Sequence, residues 1–328
     1  MKHILILLFS LNLVFVFSQK TFIPDDQFEQ YLIDLNIDDV IDDSVLTSNI
    51  ETITHLTPVS RSIIDFTGIE DFHSLEYFDC RYNFVEALDL SSNHSLIELI
   101  CSENLIEEIT FSPNSALQTV FCDDNQLTEM DVSNLQKLEL LVCNVNFLVS
   151  LDLTQNHSLE LLNCGYNQIL DLDLSENSAL QILSCSNNLF TSLDISSNGL
   201  LNRFWCNSSP IECLNMANGN NHNFTDFSTW GTPSLNCIIV DQANWTPFDL
   251  LSVNLDANVN IDASNNFDII CDSDCFGLAS ISENNPHQPK ELINIINLLG
   301  QEVEYTPNTV LIYQYTDGTS EKVFTIED

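Results

Sequence analysis

Apolar and polar positions recur along the middle of the chain at a fixed step of 21 residues. Seven of the eleven cysteines keep this step, and we call them the cysteine ladder: Cys80, Cys101, Cys122, Cys143, Cys164, Cys185 and Cys206. Leucines precede six of them by five residues: Leu75, Leu96, Leu117, Leu138, Leu159 and Leu180. Asparagines follow six by three residues and form the asparagine ladder: Asn83, Asn104, Asn125, Asn146, Asn167 and Asn188. Coincident columns at one period predict a repeat solenoid.

One repeat reads Leu159-x-x-Leu162-x-Cys164-x-x-Asn167-x-Ile169. This is the leucine-rich-repeat pattern with cysteine in the third leucine position. It predicts a short strand over 159–165, with Leu162 and Cys164 pointing into the solenoid and Leu161 pointing out. The predicted fold is therefore a leucine-rich-repeat solenoid with a parallel β-sheet on its concave face.

Two polar columns mark the turns of each repeat. The asparagine ladder falls where the chain leaves the strand, and a buried amide there can bond open backbone groups of its own and the adjacent turn. An aspartate column marks the second turn: Asp89, Asp131, Asp152, Asp173 and Asp194. Cation binding there is the alternative, but turn chemistry is favoured.

The cysteine ladder is predicted to be reduced. Equivalent residues on stacked strands are about 4.8 Å apart, whereas a disulfide needs Cβ atoms about 3.8 Å apart with a fixed torsion. A metal site is disfavoured because the thiols share one row without histidines. We interpret the column as small buried hydrophobes, and we expect no metal and no cofactor.

The charge balance is strongly acidic, with 48 acidic residues, 8 basic residues and a net charge of -40. Such a surface repels nucleic acid and anionic lipid, which both need Lys and Arg. Divalent cations or cationic partners would suit it, but a solvated exterior is the favoured interpretation.

The N-terminus is typical of a secretory signal peptide over residues 1–18. Lys2 and His3 precede an apolar run over 4–17, and 16–18 resembles a cleavage site before Gln19. A retained anchor is the alternative. Acidic and apolar residues then alternate at helical spacing over 25–44, which predicts a cap for the exposed end of the core.

The repeats resemble bacterial leucine-rich-repeat surface proteins, in particular the cysteine-containing group with 21-residue repeats found among internalins and in Bacteroidetes. Residues 22–29 resemble the N-terminal cap of that group, 69–72 its first incomplete repeat, and 237–241 with Trp245 its C-terminal cap. The resemblance implies a cap over 19–74, repeats over 75–219 and a C-terminal cap over 220–275. Within the repeats, Leu135 stands where asparagine is usual, and Ser209-Pro210 follows Cys206 where asparagine is due.

Four cysteines lie outside the ladder: Cys213, Cys237, Cys271 and Cys275. A disulfide of Cys237 with Cys271 or Cys275 could clamp the C-terminal cap. Cys213 is then the thiol expected to remain unpaired.

A polar segment with two prolines over 276–289 predicts a linker, and a small β-rich module follows over 290–328. Strands are expected over 292–296, 310–313 and 323–326, with a hairpin turn at 316–319. Leu299-Gly300-Gln301 and Asp317-Gly318 resemble the type A sorting domain of the type IX secretion system. The resemblance implies contact with the secretion machinery and export to the outer surface of a Gram-negative bacterium; an ordinary small β-domain is the alternative.

No catalytic constellation emerges from the sequence. The histidines are scattered, and Cys164 near His157 would point into the core and be inert. An enzyme is therefore not expected.

The outward row of the sheet is the candidate binding site. It carries an apolar stripe predicted to face solvent: Tyr77, Ile100, Phe121, Leu140, Val142, Leu161, Ile182 and Trp205. Such patches usually mark partner sites, although these residue types also favour strands in general. The aromatic residues of the stripe lie several repeats apart, which favours protein recognition over sugar binding.

These features predict a secreted or cell-surface protein, expected to be monomeric, that recognises an extracellular protein or peptide in recognition or adhesion. A glycan-binding or structural surface component is the alternative.

Overall fold

The chain forms two compact units, residues 1–271 and 272–328, and each is described by itself. The computed structural model describes residues 19–113, 115–235, 237–242 and the strand residues 258–261, 267–268, 292–296, 310–315 and 320–324. The signal peptide at 1–18 and the linker at 276–289 lie outside these residues. In the described part of the chain, no helix combines the length and the apolar character needed to cross a membrane.

The N-terminal cap consists of short elements that cover one end of the repeats. They are β1 (Lys20–Phe22), α1 (Asp26–Asp34), β2 (Ser44–Leu46), α2 (Thr47–Ile50) and β3 (His55–Leu56). Strands β1 and β2 pair antiparallel. The helical spacing predicted over 25–44 is a helix only in its first part.

Two buried carboxylates explain where α1 begins and how the chain continues after it. Asp25 caps the helix, since its side chain accepts hydrogen bonds from the backbone of Gln27 and Phe28. The carboxylate of Glu29 is fully buried and accepts from the backbone nitrogens of Asp42, at 3.1 Å, and Ser44, at 2.9 Å. These bonds hold the loop after α1 against the helix, so that this segment is not helical.

The repeats supply short strands on two sides of the solenoid. In chain order they are β4 (Tyr77–Asp79), β5 (Ala87–Asp89), β6 (Glu98–Ile100), β7 (Glu108–Thr110), β8 (Thr119–Phe121), β9 (Leu140–Val142), β10 (Leu161–Asn163), β11 (Ile182–Ser184), β12 (Ser192–Asp194), β13 (Arg203–Trp205), β14 (Cys213–Asn215), β15 (Asp226–Thr229), β16 (Cys237–Ile239), β17 (Asn258–Ile261) and β18 (Phe267–Asp268). One-turn 3₁₀ helices lie at Ile69–Asp71 and Asn221–Asn223.

Nine of these strands and β3 of the cap form one sheet in the order β17-β15-β13-β11-β10-β9-β8-β6-β4-β3, and every pairing in it is parallel. On the far side, β5 pairs with β7, and β12, β14, β16 and β18 form a second parallel sheet. The concave sheet therefore continues through residues 226–261, in the segment assigned above to the C-terminal cap.

The inside and outside of the strands follow the predicted alternation. Leu162 and Cys164 are fully buried, while Leu161 and Asn163 are half-buried on the outer face. Strand β10 is shorter than predicted, with three residues. Tyr166 takes a left-handed backbone conformation with φ 54° and turns the chain off the sheet.

The asparagine ladder binds successive turns together. Nδ2 of Asn167 donates to the carbonyl oxygens of Cys164 at 3.1 Å and of Cys143 at 3.0 Å, and Oδ1 accepts from the backbone nitrogen of Leu148 at 2.9 Å. A second asparagine column lies on the opposite turn, at Asn93, Asn156, Asn177 and Asn198. Its members also donate to carbonyls of the previous turn.

The aspartate column has the turn role that was favoured above. In each of its five members, Oδ1 accepts a hydrogen bond from the backbone nitrogen two residues later, at 2.8–3.0 Å. Hydrogen bonds from Ser133, mainly its side chain, and from Thr154 and Ser175, mainly their backbones, hold the pKa of Asp131, Asp152 and Asp173 below the ordinary value. The column therefore shapes the turns.

The C-terminal unit contains an antiparallel sheet of β19 (Leu292–Ile296), β20 (Val310–Tyr315) and β21 (Ser320–Phe324). The three strands lie close to their predicted positions, with β20 longer and β21 starting earlier than expected. The sorting-motif residues Leu299, Gly300, Gln301, Asp317 and Gly318 lie outside the described residues.

Candidate functional site

The outward side chains of the concave sheet form two rows in register. One row runs Tyr77, Glu98, Thr119, Leu140, Leu161, Ile182 and Arg203. The other runs Asp79, Ile100, Phe121, Val142, Asn163, Ser184 and Trp205. Neighbours within a row lie about 4.8 Å apart, because that is the distance between paired strands.

The predicted stripe divides into one continuous patch and two separate ends. Ile100, Phe121 and Val142 are consecutive in one row, and Leu140, Leu161 and Ile182 are consecutive in the other. Leu140 and Val142 lie on the same strand, β9, and join the two groups. We call these six residues the sheet patch.

The side chains of the sheet patch lie on the outer face, as predicted, and are half-buried there. The cause is the sheet itself. Outward side chains on strands about 4.8 Å apart cover one another's flanks. The patch therefore presents the tips of its side chains as a flat apolar surface.

Tyr77 and Trp205 lie at opposite ends of the rows and do not join the sheet patch. Tyr77 stacks on His55 with ring centroids 5.7 Å apart. Burial, together with the Asp79 carboxylate, raises the pKa of Tyr77. Trp205 is separated from the patch by Ser184 in its own row.

The border of the sheet patch is polar and includes acidic side chains. Glu98 lies beside Ile100 on β6, and Asp123 accepts a hydrogen bond of 2.6 Å from Ser102. The arginines on this face are partly neutralised, since Arg81 pairs with Asp79 at 3.1 Å and Arg203 with Asp226 at 3.4 Å.

A group of exposed apolar side chains lies on the turns after the strands, and the strand pattern of the sequence did not single it out. We call them the turn ridge: Val145, Phe147, Val149, Leu170 and Leu189. Val149 and Leu170 are stacked, since the backbone nitrogen of Leu170 donates to the Val149 carbonyl oxygen at 3.3 Å. Aligning the repeats would have revealed this ridge, because solvated turns usually carry polar residues.

Three aromatic side chains from different repeats meet at the C-terminal part of the sheet. Tyr166, Trp205 and Trp230 line one open depression of about 360 Å³, together with serine and asparagine side chains. We call it the aromatic depression. The aromatic residues of the stripe lie several repeats apart, but Trp205 shares this depression with Tyr166 and Trp230. Both of these lie on turns, outside the strands from which the stripe was drawn.

The cysteine ladder is free and buried over its whole length. Burial raises the pKa of the Cys164 thiol to about 12, so its reactive thiolate form is scarce near neutral pH. His157 is exposed and lies near Glu176, at 3.8 Å, so no pair of Cys164 and His157 forms. Among the described residues there is also no group of three or more His, Cys, Asp or Glu side chains that could hold a metal ion.

Cys213 is disulfide-bonded, as is Cys237. The expectation that Cys213 remains unpaired is therefore wrong. The two residues are register partners on β14 and β16. Cys271 and Cys275, the partners predicted for Cys237, lie outside the described residues.

No family model and no curated protein sequence matches the chain. Among solved structures, the chain is similar to the functional domain of InlJ from Listeria monocytogenes, which includes a cysteine ladder. The TM-score is 0.55 at 25% identity, over 75% of this chain and 62% of that structure. The fold is a leucine-rich-repeat solenoid. The chain thus spans less than two thirds of the InlJ structure.

Two further structures are similar to the chain at lower TM-scores. YopM, a leucine-rich effector protein from Yersinia pestis, gives 0.46 at 21% identity, over 59% of this chain and 50% of that one. A leucine-rich-repeat protein of Leptospira interrogans gives 0.43 at 17% identity, over 58% and 62%.

Proposed function

We propose that the chain is a protein-recognition module that binds a protein or peptide partner through the sheet patch. The observation that supports this proposal is the continuity of six apolar side chains across five neighbouring strands. Solenoids offer extended concave surfaces of this kind to their partners, and a continuous apolar surface with a polar border is typical of a partner site.

The charge of the chain narrows the class of partner. With a net charge of -40 and acidic side chains bordering the sheet patch, an acidic partner would be repelled. The complementary partner presents an apolar surface flanked by lysine or arginine. Because the flanking charges are solvated, they mainly speed association, and this contribution falls as salt rises.

The same proposal includes where in the cell the repeats act, and two terminal segments support it. Residues 1–18 have the pattern of a signal peptide, and 290–328 have the motif order of a type A sorting domain. The repeats would then act in secreted form or at the outer cell surface, where recognition or adhesion requires them. We propose residues 19–74 as the N-terminal cap, 75–219 as the repeats, 220–275 as the C-terminal cap and 276–289 as a linker, with the concave sheet extending into the C-terminal cap.

The proposal is tested by capture of partners from an extracellular protein mixture with matched baits. The first bait is the unaltered protein, and the second carries Phe121→Ser and Leu161→Ser in the sheet patch. The third carries Val149→Ser and Leu170→Ser in the turn ridge. The control is Ile64→Ser, which removes an apolar side chain that is 65% exposed in the N-terminal cap.

Loss of a partner with the sheet-patch bait alone is the expected result, with an affinity at least about tenfold lower, or about 1.4 kcal/mol. The captured partner should also bind more weakly at high salt. Loss with the turn-ridge bait alone would move the site to the turns. Equal capture by all four baits would show that neither surface binds a partner.

A further inference from the structure

The aromatic depression is a second surface, separate from the sheet patch. Trp230 is 57% exposed and Tyr166 is 61% exposed, so packing inside the protein does not account for either ring. Two of the three tryptophans of the chain line this one depression. The depression is open to solvent and has a volume of about 360 Å³.

The backbone beneath the depression is fixed by hydrogen bonds between consecutive turns. The backbone nitrogen of Tyr166 donates to the Ser186 carbonyl oxygen at 2.8 Å, and that of Ser208 donates to the Trp230 carbonyl oxygen at 2.9 Å. Tyr166 and Ser208 both have positive φ, 54° and 53°. The rings are therefore mounted on turns that are ordered before any ligand arrives, which lowers the entropic cost of binding.

Asn207 holds the backbone of Trp230 in place at the depression through a hydrogen bond. Its Oδ1 accepts from the Trp230 backbone nitrogen at 2.9 Å and from Ser228 Oγ at 2.6 Å. Because Oδ1 accepts both of these hydrogen bonds, Nδ2 of the same amide group points away from Trp230 and Ser228. No described residue accepts a hydrogen bond from Asn207 Nδ2 or bonds the side chains of Asn187 and Ser184, which also line the depression. Donors and acceptors are thus left for a ligand.

The lining residues carry no carboxylate and no cation, although the chain has a net charge of -40. The combination of aromatic faces with neutral amides and hydroxyls suits one chemical class. A sugar ring presents weakly positive C–H groups on its face, which pack on the negative face of an aromatic ring. Its hydroxyls each donate and accept, as serine and asparagine side chains do. An anionic sugar would be repelled by the net negative charge of the chain.

We infer that the aromatic depression binds an uncharged saccharide, stacked on Trp230 and Tyr166 and hydrogen-bonded by Asn207 and Asn187. This site goes beyond the protein-recognition surface and does not depend on it.

The test uses an array of neutral oligosaccharides built from hexoses and N-acetylhexosamines, with acidic oligosaccharides of uronic acids alongside. The strongest neutral oligosaccharide is then titrated into the full chain while tryptophan fluorescence is recorded. The variants are Trp230→Ala and Tyr166→Ala. The matched control is Leu200→Ala, since Leu200 is 57% exposed, as is Trp230, and does not line the depression.

We expect binding of a neutral oligosaccharide that weakens at least about tenfold in Trp230→Ala and Tyr166→Ala. Leu200→Ala should bind as the unaltered protein does, with all variants folded by circular dichroism. Phe121→Ser should also bind the saccharide normally, which separates this site from the sheet patch. The inference is overturned by an array without neutral binders, by a preference for acidic oligosaccharides, or by unchanged affinity in Trp230→Ala.

Discussion

Asn167 donates a hydrogen bond of 3.0 Å from Nδ2 to the carbonyl oxygen of Cys143, one full turn of the solenoid earlier. Its Oδ1 is also bonded, to the backbone nitrogen of Leu148. Asn177, in the second asparagine column, donates from Nδ2 to the carbonyl oxygens of Leu153 and Asn156, but its buried Oδ1 has no partner among the described residues. The two columns are therefore not equivalent in energy.

Replacing each asparagine by leucine should separate the two columns. Asn167→Leu leaves the buried backbone N–H of Leu148 without a partner. It also removes the hydrogen bonds to the carbonyl oxygens of Cys143 and Cys164, which keep their bonds from Asn146 and Asn188. We expect the free energy of unfolding to fall by about 3 kcal/mol. Asn177→Leu loses fewer bonds and also removes an unpartnered oxygen, so about 1 kcal/mol is expected. The naturally occurring and fully buried Leu135 occupies the corresponding position of an earlier repeat. Urea denaturation measures both values, and equal losses would contradict the distinction.

Thiol counting should report the state of the cysteine ladder. Because the seven ladder thiols are free and buried, the native protein should react with almost none of them at pH 8. The denatured, unreduced protein should show at least the seven of the ladder. Two or fewer thiols after denaturation would mean that the ladder is oxidised.

The buried thiols should also make the fold sensitive to alkali. Burial raises the pKa of Cys80, Cys101, Cys122, Cys143, Cys164 and Cys185 above the ordinary thiol value. The unfolded chain therefore loses these protons first. The stabilising contribution is fully present below about pH 8.5 and is lost as pH rises through the folded pKa.

The expected loss is about 1.4 kcal/mol per thiol for each pH unit above the unfolded pKa. Cys164 should contribute up to about pH 12, its folded pKa. Unfolding free energies measured from pH 8 to 10.5 should fall steeply. In Cys164→Ala the free energy of unfolding should fall less steeply with pH, by about 1.4 kcal/mol for each pH unit. An unchanged slope would contradict the raised pKa of Cys164.

Substitutions of an inward residue on β10 and an outward residue on β8 should test the assignment of inside and outside. Leu162→Ala opens a void in the core and should cost about 2–5 kcal/mol. Phe121→Ser removes a half-buried outward side chain and should cost about 1 kcal/mol. Thermal unfolding compares the two variants. A larger loss for Phe121→Ser would mean that the register of the sheet is wrong.

Deleting residues 276–328 should leave the thermal unfolding of the repeats nearly unchanged, because the chain divides into compact units at residues 271 and 272. In the native cell the same deletion should trap the protein inside the envelope if the module directs export. Normal secretion of the truncated chain would rule out the sorting role, and a large fall in unfolding temperature would rule out the independence of the module.

The repeat period made much of the fold predictable, because one register assigns every repeat at once. Leu162 and Cys164 are buried as the alternation of the pattern requires. The sheet patch was also predictable from the repeat period. Phe121 and Val142 are 21 residues apart in the sequence, and this spacing makes them neighbours on paired strands. Half-burial of these residues was not predictable from alternation alone, because it depends on cover from the adjacent strands.

The aromatic depression could not be predicted in the same way, because it lies where the period changes. Trp230 bonds Asn207 across 23 residues rather than the regular step, so aligned columns do not bring it beside Trp205. Tyr166 also escapes the strand pattern, because it belongs to a turn. The disulfide state of Cys213 depends likewise on the irregular C-terminal turns.

The left-handed turn that follows each strand has a consequence for how such a protein can change. Seven consecutive repeats place Tyr82, Glu103, Asp124, Val145, Tyr166, Asn187 and Ser208 at this position, with φ between 53° and 60°. Aromatic, acidic, aliphatic and small polar side chains all occupy it, since the backbone there is held by bonds between turns. The seven positions of this column therefore tolerate many side chains at the edge of the sheet. Natural variation or library selection can change which ligand they bind without changing the fold.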